Sequence, residues 1–300
     1  MEKRPVMKQS EGSEPALSDA GSEKIKIELG GVAQTLLLPL WFRAKHNEKQ
    51  NPLLLDPMAS KIVRRVDYDY RRIDRSMQGL KSFWNPEWGD LYWVIRAKNF
   101  DDALKEFIAR HPKAVVVNIG AGLDTTFYRV DNGSIRWYNL DLPDVIDLRR
   151  RLLPETDRCT CIAKSVFDFS WFDDISEPED GLIILACGVF WYFGENDVKL
   201  IIRKLANRFH GAEIVFDAIS RITAVFTTRF VRWSANKQAR PRSILTAKKV
   251  CKWDTNVEVV EEYPNFAHIH RDPAWKGRTI GGMNMLDRRK AMSVIHLRFK

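Results

Sequence analysis

Two glycines, Gly120 and Gly122, directly follow an apolar run and are separated by one alanine. Glycines at this place let the backbone turn sharply and let a ligand approach the main chain closely. A lone G-x-G is shared by oxidoreductases, other nucleotide-binding proteins and plain tight turns. The third small residue of a dinucleotide-binding motif would fall at Thr125, which is neither Gly nor Ala, so the motif disfavours pyrophosphate binding and an NAD-dependent oxidoreductase.

Two aspartates end the next two predicted strands. Asp141 can accept hydrogen bonds from both hydroxyls of an adenosine ribose. Asp168 can accept a hydrogen bond from the exocyclic amine of adenine while the neighbouring Phe169 packs on the adenine ring. The alternative for Asp168 is to cap the turn at Ser170 and Trp171. With the glycine loop, the two acids mark three successive strand ends along the crevice of a doubly wound sheet, which predicts an adenosine site.

Alternating strands and helices must position these residues. The predicted strands are Ala114 to Gly120, Ile135 to Asp141, Cys159 to Phe167, Leu182 to Cys187 and Glu213 to Ala218, with helices at Val145 to Leu153 and Asp197 to Phe209. Apolar strands separated by helices indicate a parallel sheet covered on both faces. Val257 to Glu262 and Ala291 to Phe299 alternate in polarity and should form an antiparallel edge. The predicted fold class is a doubly wound, mostly parallel, Rossmann-like α/β fold.

The N-terminal part is expected to be helical. Residues 1–24 are polar and predict a disordered tail. Leu36, Leu37 and Leu40 recur at helical spacing, and Asp90 to Arg110 predicts a longer helix. Residues 25–300 are therefore expected to form one domain, with a helical cap at 25–112 and the α/β core at 113–300.

Composition narrows the class of protein. The chain is 45% hydrophobic and 29% charged, and its longest apolar stretches are too short to span a bilayer. The polar N-terminus has no secretory signal, so a cytoplasmic location is expected. Cys159 and Cys161 have no second pair at zinc-like spacing, so reduced thiols and no metal site are expected.

Basic residues are concentrated near the C-terminus. The net charge is +9, and the segment from Ala218 to Trp253, called here the basic segment, contains nine Lys and Arg residues and no acid. Such a segment could bind nucleic acid or an acidic small molecule, or form only a solvated face. Phe226, Phe230 and Trp233 recur at helical spacing, which predicts that the segment folds.

The motifs together resemble those of the leucine carboxyl methyltransferase family, in particular its branch of tetracenomycin-type polyketide O-methyltransferases. The resemblance runs from about Val32 to Ala218. Its motifs are Gln34-Thr35-Leu36-Leu37 with Arg43-Ala44, Val117-Asn118-Ile119-Gly120-Ala121-Gly122-Leu123-Asp124-Thr125-Thr126-Phe127-Tyr128-Arg129, Asn139-Leu140-Asp141-Leu142-Pro143, and Gly188-Val189-Phe190-Trp191-Tyr192-Phe193. The resemblance implies a methyltransferase fold, S-adenosylmethionine as cofactor, and transfer to a carboxylate or hydroxyl oxygen.

The resemblance also implies cofactor contacts. Arg96 would bind the methionine carboxylate, and the glycine loop with Gly120 and Gly122 would face the methionine part. Asp141 would bind the ribose, and Asp168 with Phe169 the adenine. One position departs from the family pattern, because the resemblance implies a glutamate where this chain has Cys187. A thiol cannot replace the hydrogen bonds of a carboxylate, so another acid would have to substitute, or the methionine amine would be held more weakly.

Methyl transfer to a carboxylate requires no side chain to act as a base. A carboxylate is already ionised at neutral pH and needs only alignment with the methyl group. The shared core offers no obvious histidine base, so Tyr192 is predicted as the active-site aromatic, with core packing as its alternative. Arg43 could hold an acidic substrate. We expect a small, anionic, polyketide-like acceptor rather than nucleic acid. The alternative is a degenerate, non-catalytic adenosyl-binding protein whose basic surface holds nucleic acid.

Overall fold

The structure is a computed structural model that describes residues 24–27, 31–78, 86–225 and 242–300. The predicted polar tail lies almost wholly outside these residues, as do four of the nine cations and the three aromatic residues of the basic segment. Among the described helices, none combines the length and the apolar character needed to cross a bilayer. All four cysteines carry free thiols, as predicted.

A central sheet organises the described residues. Its strands are β3 (Val115–Ile119), β4 (Arg136–Asp141), β5 (Cys159–Ala163), β6 (Leu182–Ala186), β7 (Glu213–Ile219), β8 (Val257–Pro264) and β9 (Met292–Phe299), in the order β5-β4-β3-β6-β7-β9-β8. The first five are parallel, and β9 pairs antiparallel with both β7 and β8. The predicted parallel sheet and its antiparallel edge are therefore confirmed.

Helices cover both faces of this sheet. The long helix α4 (Pro86–Arg110) packs Phe100 and Leu104 against Val116 of β3. Helix α7 (Glu195–Arg208) packs Ile202 on the opposite face, in one cluster with Val117. Every residue of β3, β6 and β7 is buried, which explains why these strands are apolar almost throughout.

The N-terminal cap consists of a short parallel pair, β1 (Ile25–Lys26) with β2 (Val66–Asp67), and three helices. These are α1 (Gly31–His46), α2 (Pro57–Arg65) and α3 (Arg71–Gln78). Leu37 and Ile62 of the cap pack with Leu148 of helix α6 (Pro143–Leu152). Helix α4, which the predicted cap included, contacts α1 and α3 of the cap and also packs on the sheet.

The prediction for β5 was too long. The strand ends at Ala163, four residues before Phe167. The amide of Phe167 bonds to the Ser165 hydroxyl, and the amide of Asp168 bonds to the Ser165 carbonyl at 2.9 Å. This turn ends the extended conformation, so Asp168 follows a turn and does not end a strand.

The remaining described helices are short or lie near the C-terminus. They are α5 (Phe127–Val130), α8 (Ala247–Val250) and α9 (Gly277–Arg288), with 3₁₀ turns at Phe169–Asp174 and Phe190–Tyr192. Residues 221–225, directly after β7, are also helical.

Candidate functional site

The glycine loop leaves β3 at the carboxyl edge of the sheet. Gly120 has φ of +63° and Gly122 of +46°, a region that favours glycine. A Cβ on Gly120 would lie 2.5 Å from Cγ2 of Val189, in the segment that follows β6. The loop is thus held in a tight turn against that segment, and no larger residue fits at Gly120.

Asp141, which ends β4, lies against this loop. Its Oδ2 accepts the amide of Gly122 at 2.7 Å, and its Oδ1 accepts the amide of Leu142 at 2.8 Å. Burial raises the pKa of Asp141, and the two backbone hydrogen bonds oppose that rise. Each carboxylate oxygen has further lone pairs, so the pair can accept two ligand hydroxyls.

Arg149 is a partner of the loop that the sequence did not reveal. It extends from α6, is only 2% exposed, and donates from one nitrogen to the carbonyls of Gly122 and Asp124, both at 2.9 Å. Arg149 therefore fixes the carbonyl side of the loop while Asp141 fixes the Gly122 amide. In the sequence it is the first of three consecutive arginines, which is typical of a solvated helix face.

The structure gives Asp168 the capping role that the sequence left as its alternative. Its Oδ1 accepts the amide of Ser170 at 3.2 Å at the start of the 3₁₀ turn. Hydrogen bonds from Ser170 hold the pKa of Asp168 below its ordinary value. The side chain is exposed, and the half-buried Phe169 packs on Phe172 with ring centroids 5.6 Å apart. The strand before them, β5, ends beside Asp141, because Ala163 pairs with Asp141 in the parallel register.

Arg96 reaches this edge from α4. It is 8% exposed, and its guanidinium carbon lies 4.7 Å from the ring centroid of Trp93 and 5.9 Å from that of Trp191. A Cβ on Gly188 would lie 2.9 Å from a guanidinium nitrogen of Arg96. Arg96 thus lies against the segment that also contacts Gly120, so the structure brings these two predicted residues to one place.

Two further predicted residues belong to that segment. Burial raises the pKa of Cys187 to about 12, so its thiol is neutral at pH 7. Burial likewise raises the pKa of Tyr192, whose ring lies 6.0 Å from that of Trp191 between centroids. Tyr192 therefore keeps its proton and can serve as a hydrogen-bond donor.

Arg43 has a different environment from the one its predicted role requires. It is 5% exposed, its Nε donates to Asp56 at 2.7 Å, and a second nitrogen lies 3.4 Å from the Thr125 hydroxyl. Its charge is thus already paired with a buried carboxylate, so Arg43 is not available to hold an acidic substrate.

The same Asp56 receives a second arginine from the glycine-loop motif. Arg129 donates to Asp56 at 2.8 Å and binds both oxygens of Asp101 at 2.7 and 2.8 Å. These contacts explain why Thr125 and Arg129 occupy fixed places in the motif after the glycines. The buried network joins the cap to the loop, and no sequence pattern pointed to Asp56 or Asp101.

Asp217, at the carboxyl end of β7, is an acid at this edge that the sequence reading did not single out. Its Oδ1 accepts the amide of Gly188 at 2.7 Å, and its Oδ2 lies 3.6 Å from a nitrogen of Arg96. One signal was present in the sequence, because Asp217 interrupts the apolar run Ile214-Val215-Phe216.

The chain is similar in sequence to known methyltransferases. The leucine carboxyl methyltransferase family model matches residues 37–205. The tetracenomycin polyketide synthesis O-methyltransferase TcmP of Streptomyces glaucescens is 33% identical over 69% of this chain and 72% of its own length. The S-adenosyl-L-methionine-dependent methyltransferase dpfgK of Gibberella zeae is 30% identical over the same shares, 69% and 72%.

Solved structures agree at the level of the fold. A presumed methyltransferase from Thermobifida fusca superposes with a TM-score of 0.57 at 13% identity, covering 79% of this chain and 90% of that one. A DUF574 family protein from Streptomyces avermitilis gives a TM-score of 0.56 at 18% identity, covering 78% and 92%.

Proposed function

The chain belongs to the leucine carboxyl methyltransferase family, and we propose that it methylates an oxygen of a small, anionic and partly aromatic metabolite. It is an S-adenosylmethionine-dependent methyltransferase, and we expect a carboxylate oxygen as its first acceptor. The name of the Streptomyces relative supports an oxygen acceptor of polyketide type for this chain as well. The proposal places the reaction in the cytoplasm, where free thiols are stable.

The residues at the carboxyl edge fit the cofactor. The positive φ values of Gly120 and Gly122 leave room for close approach to the backbone, and Asp141 presents two oriented oxygens. We assign the ribose hydroxyls to Asp141, the methionine carboxylate to Arg96, and the adenine edge to Asp168 with Phe169. An arginine suits a carboxylate because its planar fork can donate two parallel hydrogen bonds.

We assign the acceptor site to the region next to Trp191 and Tyr192. The observation that carries this assignment is the return of the basic segment to the site. The amides of Arg242 and Ser243 donate to the carbonyl of Trp191 at 2.6 and 3.3 Å, and the Ser243 hydroxyl donates to the carbonyl of Phe190 at 2.9 Å. An exposed arginine is thereby fixed beside the segment that holds Arg96.

The chain's own residues have a limited part in the chemistry. Bound S-adenosylmethionine supplies an electrophilic methyl group on a sulfonium. An ionised carboxylate needs no base, so the chain has only to bind and orient it. In this proposal the basic segment attracts the anion, and Tyr192, which keeps its proton, donates a hydrogen bond to the acceptor oxygen that does not react.

The choice of oxygen is tested with a hydroxylated aromatic carboxylic acid and its methyl ester as alternative acceptors. With label on the donor methyl group, we expect a labelled ester from the acid and little product from the ester, identified by mass spectrometry. A labelled methyl ether formed equally well from both acceptors would reject carboxylate methylation. Cofactor binding without turnover on a broad set of acids would favour a non-catalytic adenosyl-binding protein.

The role of charge is tested with the double variant Arg221→Glu with Arg242→Glu, two exposed positions of the basic segment. We expect a KM for the acid that is several-fold higher and less sensitive to salt, because steering of an anion is screened by salt. The dissociation constant for S-adenosylhomocysteine should not change. The matched control is Arg136→Glu, an exposed arginine at the amino end of β4. Equal KM values for all three proteins would leave the basic segment without a part in substrate capture.

A further inference from the structure

Cys187 leaves one group of the cofactor without an obvious partner. The motif resemblance implies a glutamate at this position, and the thiol here is neutral because burial raises its pKa to about 12. A neutral thiol is a weak acceptor and gives an ammonium group no opposite charge. The methionine ammonium must therefore find a carboxylate elsewhere, or be held more weakly.

The next parallel strand provides such a carboxylate in register. Ala186 of β6 pairs with Phe216 of β7, so the following residues, Cys187 and Asp217, are neighbours at the same edge. Asp217 is 4% exposed, and its Oδ1 accepts the amide of Gly188 at 2.7 Å. This hydrogen bond holds the carboxylate directly behind the peptide that joins Cys187 to Gly188.

The second oxygen of Asp217 is the unusual one. Oδ2 is buried and, within the described part of the chain, accepts no hydrogen bond, and its distance to the Arg96 guanidinium is 3.6 Å. A buried carboxylate oxygen without a hydrogen-bond donor is costly, because it has lost its water and the ion pair with Arg96 at 3.6 Å replaces that water only in part. Burial raises the pKa of Asp217, and the charge of Arg96 works against that rise. A donor with positive charge would satisfy this oxygen.

Arg96 and Asp217 also match the pattern of charges on an amino acid. Their groups form a positive and a negative pole a few ångströms apart, and the methionine end of the cofactor carries a carboxylate next to an ammonium. We propose that Asp217 binds the ammonium group of the cofactor's methionine moiety, in place of the missing acid at position 187, while Arg96 binds the carboxylate. This inference rests on the proposed placement of the methionine end at Arg96.

The test measures cofactor binding by titration calorimetry and needs no acceptor. The ligands are S-adenosylhomocysteine, its analogue without the amino group, and 5′-methylthioadenosine, which lacks the whole amino-acid part. Asp217→Asn keeps the volume and the acceptor for the Gly188 amide but removes the charge. We expect about a tenfold or greater loss of affinity for S-adenosylhomocysteine, a much smaller loss for the deaminated analogue, and no change for 5′-methylthioadenosine.

The matched control is Glu213→Gln, at the amino end of the same strand. Glu213 is buried and ion-paired like Asp217, but it lies four residues away, about 13 Å along the strand. This variant should bind all three ligands like the wild type. The double variant Cys187→Glu with Asp217→Asn should regain part of the preference for the amino group, because it restores an acid on the neighbouring strand end.

The outcomes separate the inference from the placement of the site. If Asp217→Asn weakens S-adenosylhomocysteine and the deaminated analogue equally, Asp217 acts only by holding Arg96 and Gly188, and the ammonium assignment is wrong. If the variant binds all three ligands like the wild type, Asp217 does not face the cofactor. If the wild type binds 5′-methylthioadenosine as tightly as S-adenosylhomocysteine, the methionine end does not lie at Arg96, and the placement itself fails.

Discussion

At the scale of single residues, Asp141 does two things at once. It fixes the amides of Gly122 and Leu142, and it presents the remaining lone pairs of its carboxylate to a ligand. Asp141→Asn keeps one acceptor for the loop but loses the charge and one ligand acceptor. We expect its dissociation constant for S-adenosylhomocysteine to rise about tenfold or more in calorimetric titration. Thermal unfolding should show a modest fall in melting temperature, because the amide nitrogen of Asn cannot accept the second backbone amide.

The matched control for Asp141 lies three residues further along the chain. Asp144 is exposed and accepts the amide of its own neighbour Val145 at 3.0 Å, so Asp144→Asn should titrate like the wild type. Asp141→Ala should bind more weakly than Asp141→Asn and should also unfold at a lower temperature, because the Gly122 amide then lacks its partner. Identical titrations for all these proteins would mean that Asp141 serves the loop alone.

The sequence could predict which residues meet at the carboxyl edge where this depends on position along the chain. The placement of the glycine loop and Asp141 at one edge followed from two successive strand ends, while the cofactor role of Arg96 stays a prediction from the motif resemblance. Arg149 and Asp217 could not be predicted in this way, since their roles depend on burial and on pairing across the sheet. Arg43 shows the converse error, because its partner Asp56 comes from a second helix that no local pattern connects to it.

At the scale of elements, one buried network joins four segments. Asp56 caps α2 by accepting the amide of Ala59 at 2.9 Å, and its other oxygen binds Arg43 of α1 and Arg129 of α5. Asp101 of α4 binds Arg129 from the far side. Burial would raise the pKa of Asp56, but the two arginines outweigh it and lower the pKa, so the carboxylate is ionised in the folded state.

Replacing Asp56 should therefore loosen the cap. Asp56→Asn leaves two buried arginines without their shared anion, and breaking a buried pair in this way costs about 3 kcal/mol or more. We expect that loss in the free energy of unfolding, measured by urea denaturation. The comparison variant is Asp102→Asn, the exposed neighbour of Asp101 that pairs with Lys98 on the helix surface; it should change stability little. Equal midpoints for the two variants would contradict a structural role for the network.

The presence of each strand was easier to predict than the residue at which the strand ends. The strands of the parallel sheet appear where continuous apolar runs placed them, because burial on both faces demands such runs. The end of β5 was misplaced because Val166 and Phe167 continue the apolar pattern. Only the hydrogen bonds of Ser165 show that the backbone has already turned.

At the scale of the whole molecule, charge is placed differently at the two edges of the sheet. The carboxyl edge holds Asp141 and Asp217 in the proposed cofactor site. The amino edge holds Glu213, which is 2% exposed and accepts hydrogen bonds from His296 and Arg298, both at 2.7 Å. This second cluster ties β7 to β9 far from the site, so it should affect stability and leave cofactor binding unchanged.

The pH dependence of unfolding should reveal the Glu213 cluster. Burial by itself would raise the pKa of Glu213, but hydrogen bonds from His296 and Arg298 outweigh it and lower the pKa from 4.5 to about 2. A carboxylate with a lowered pKa in the folded state stabilises the protein fully above its unfolded pKa of 4.5. That stabilisation is lost as the pH falls toward 2. Glu213 is also paired with Arg110 at 3.3 Å, and both Arg110 and Arg298 are partly exposed, so we expect a contribution of roughly 2 kcal/mol at neutral pH. Glu213→Gln should therefore lower the free energy of unfolding by about that amount at pH 7, and the difference from the wild type should narrow when urea denaturation is repeated from pH 5 downward.

Burial also lowers the pKa of His46 to about 4, but His46 titrates in both proteins and cancels in the difference. A gap that stays constant down to pH 3 would show that the charge of Glu213 is not what stabilises this edge.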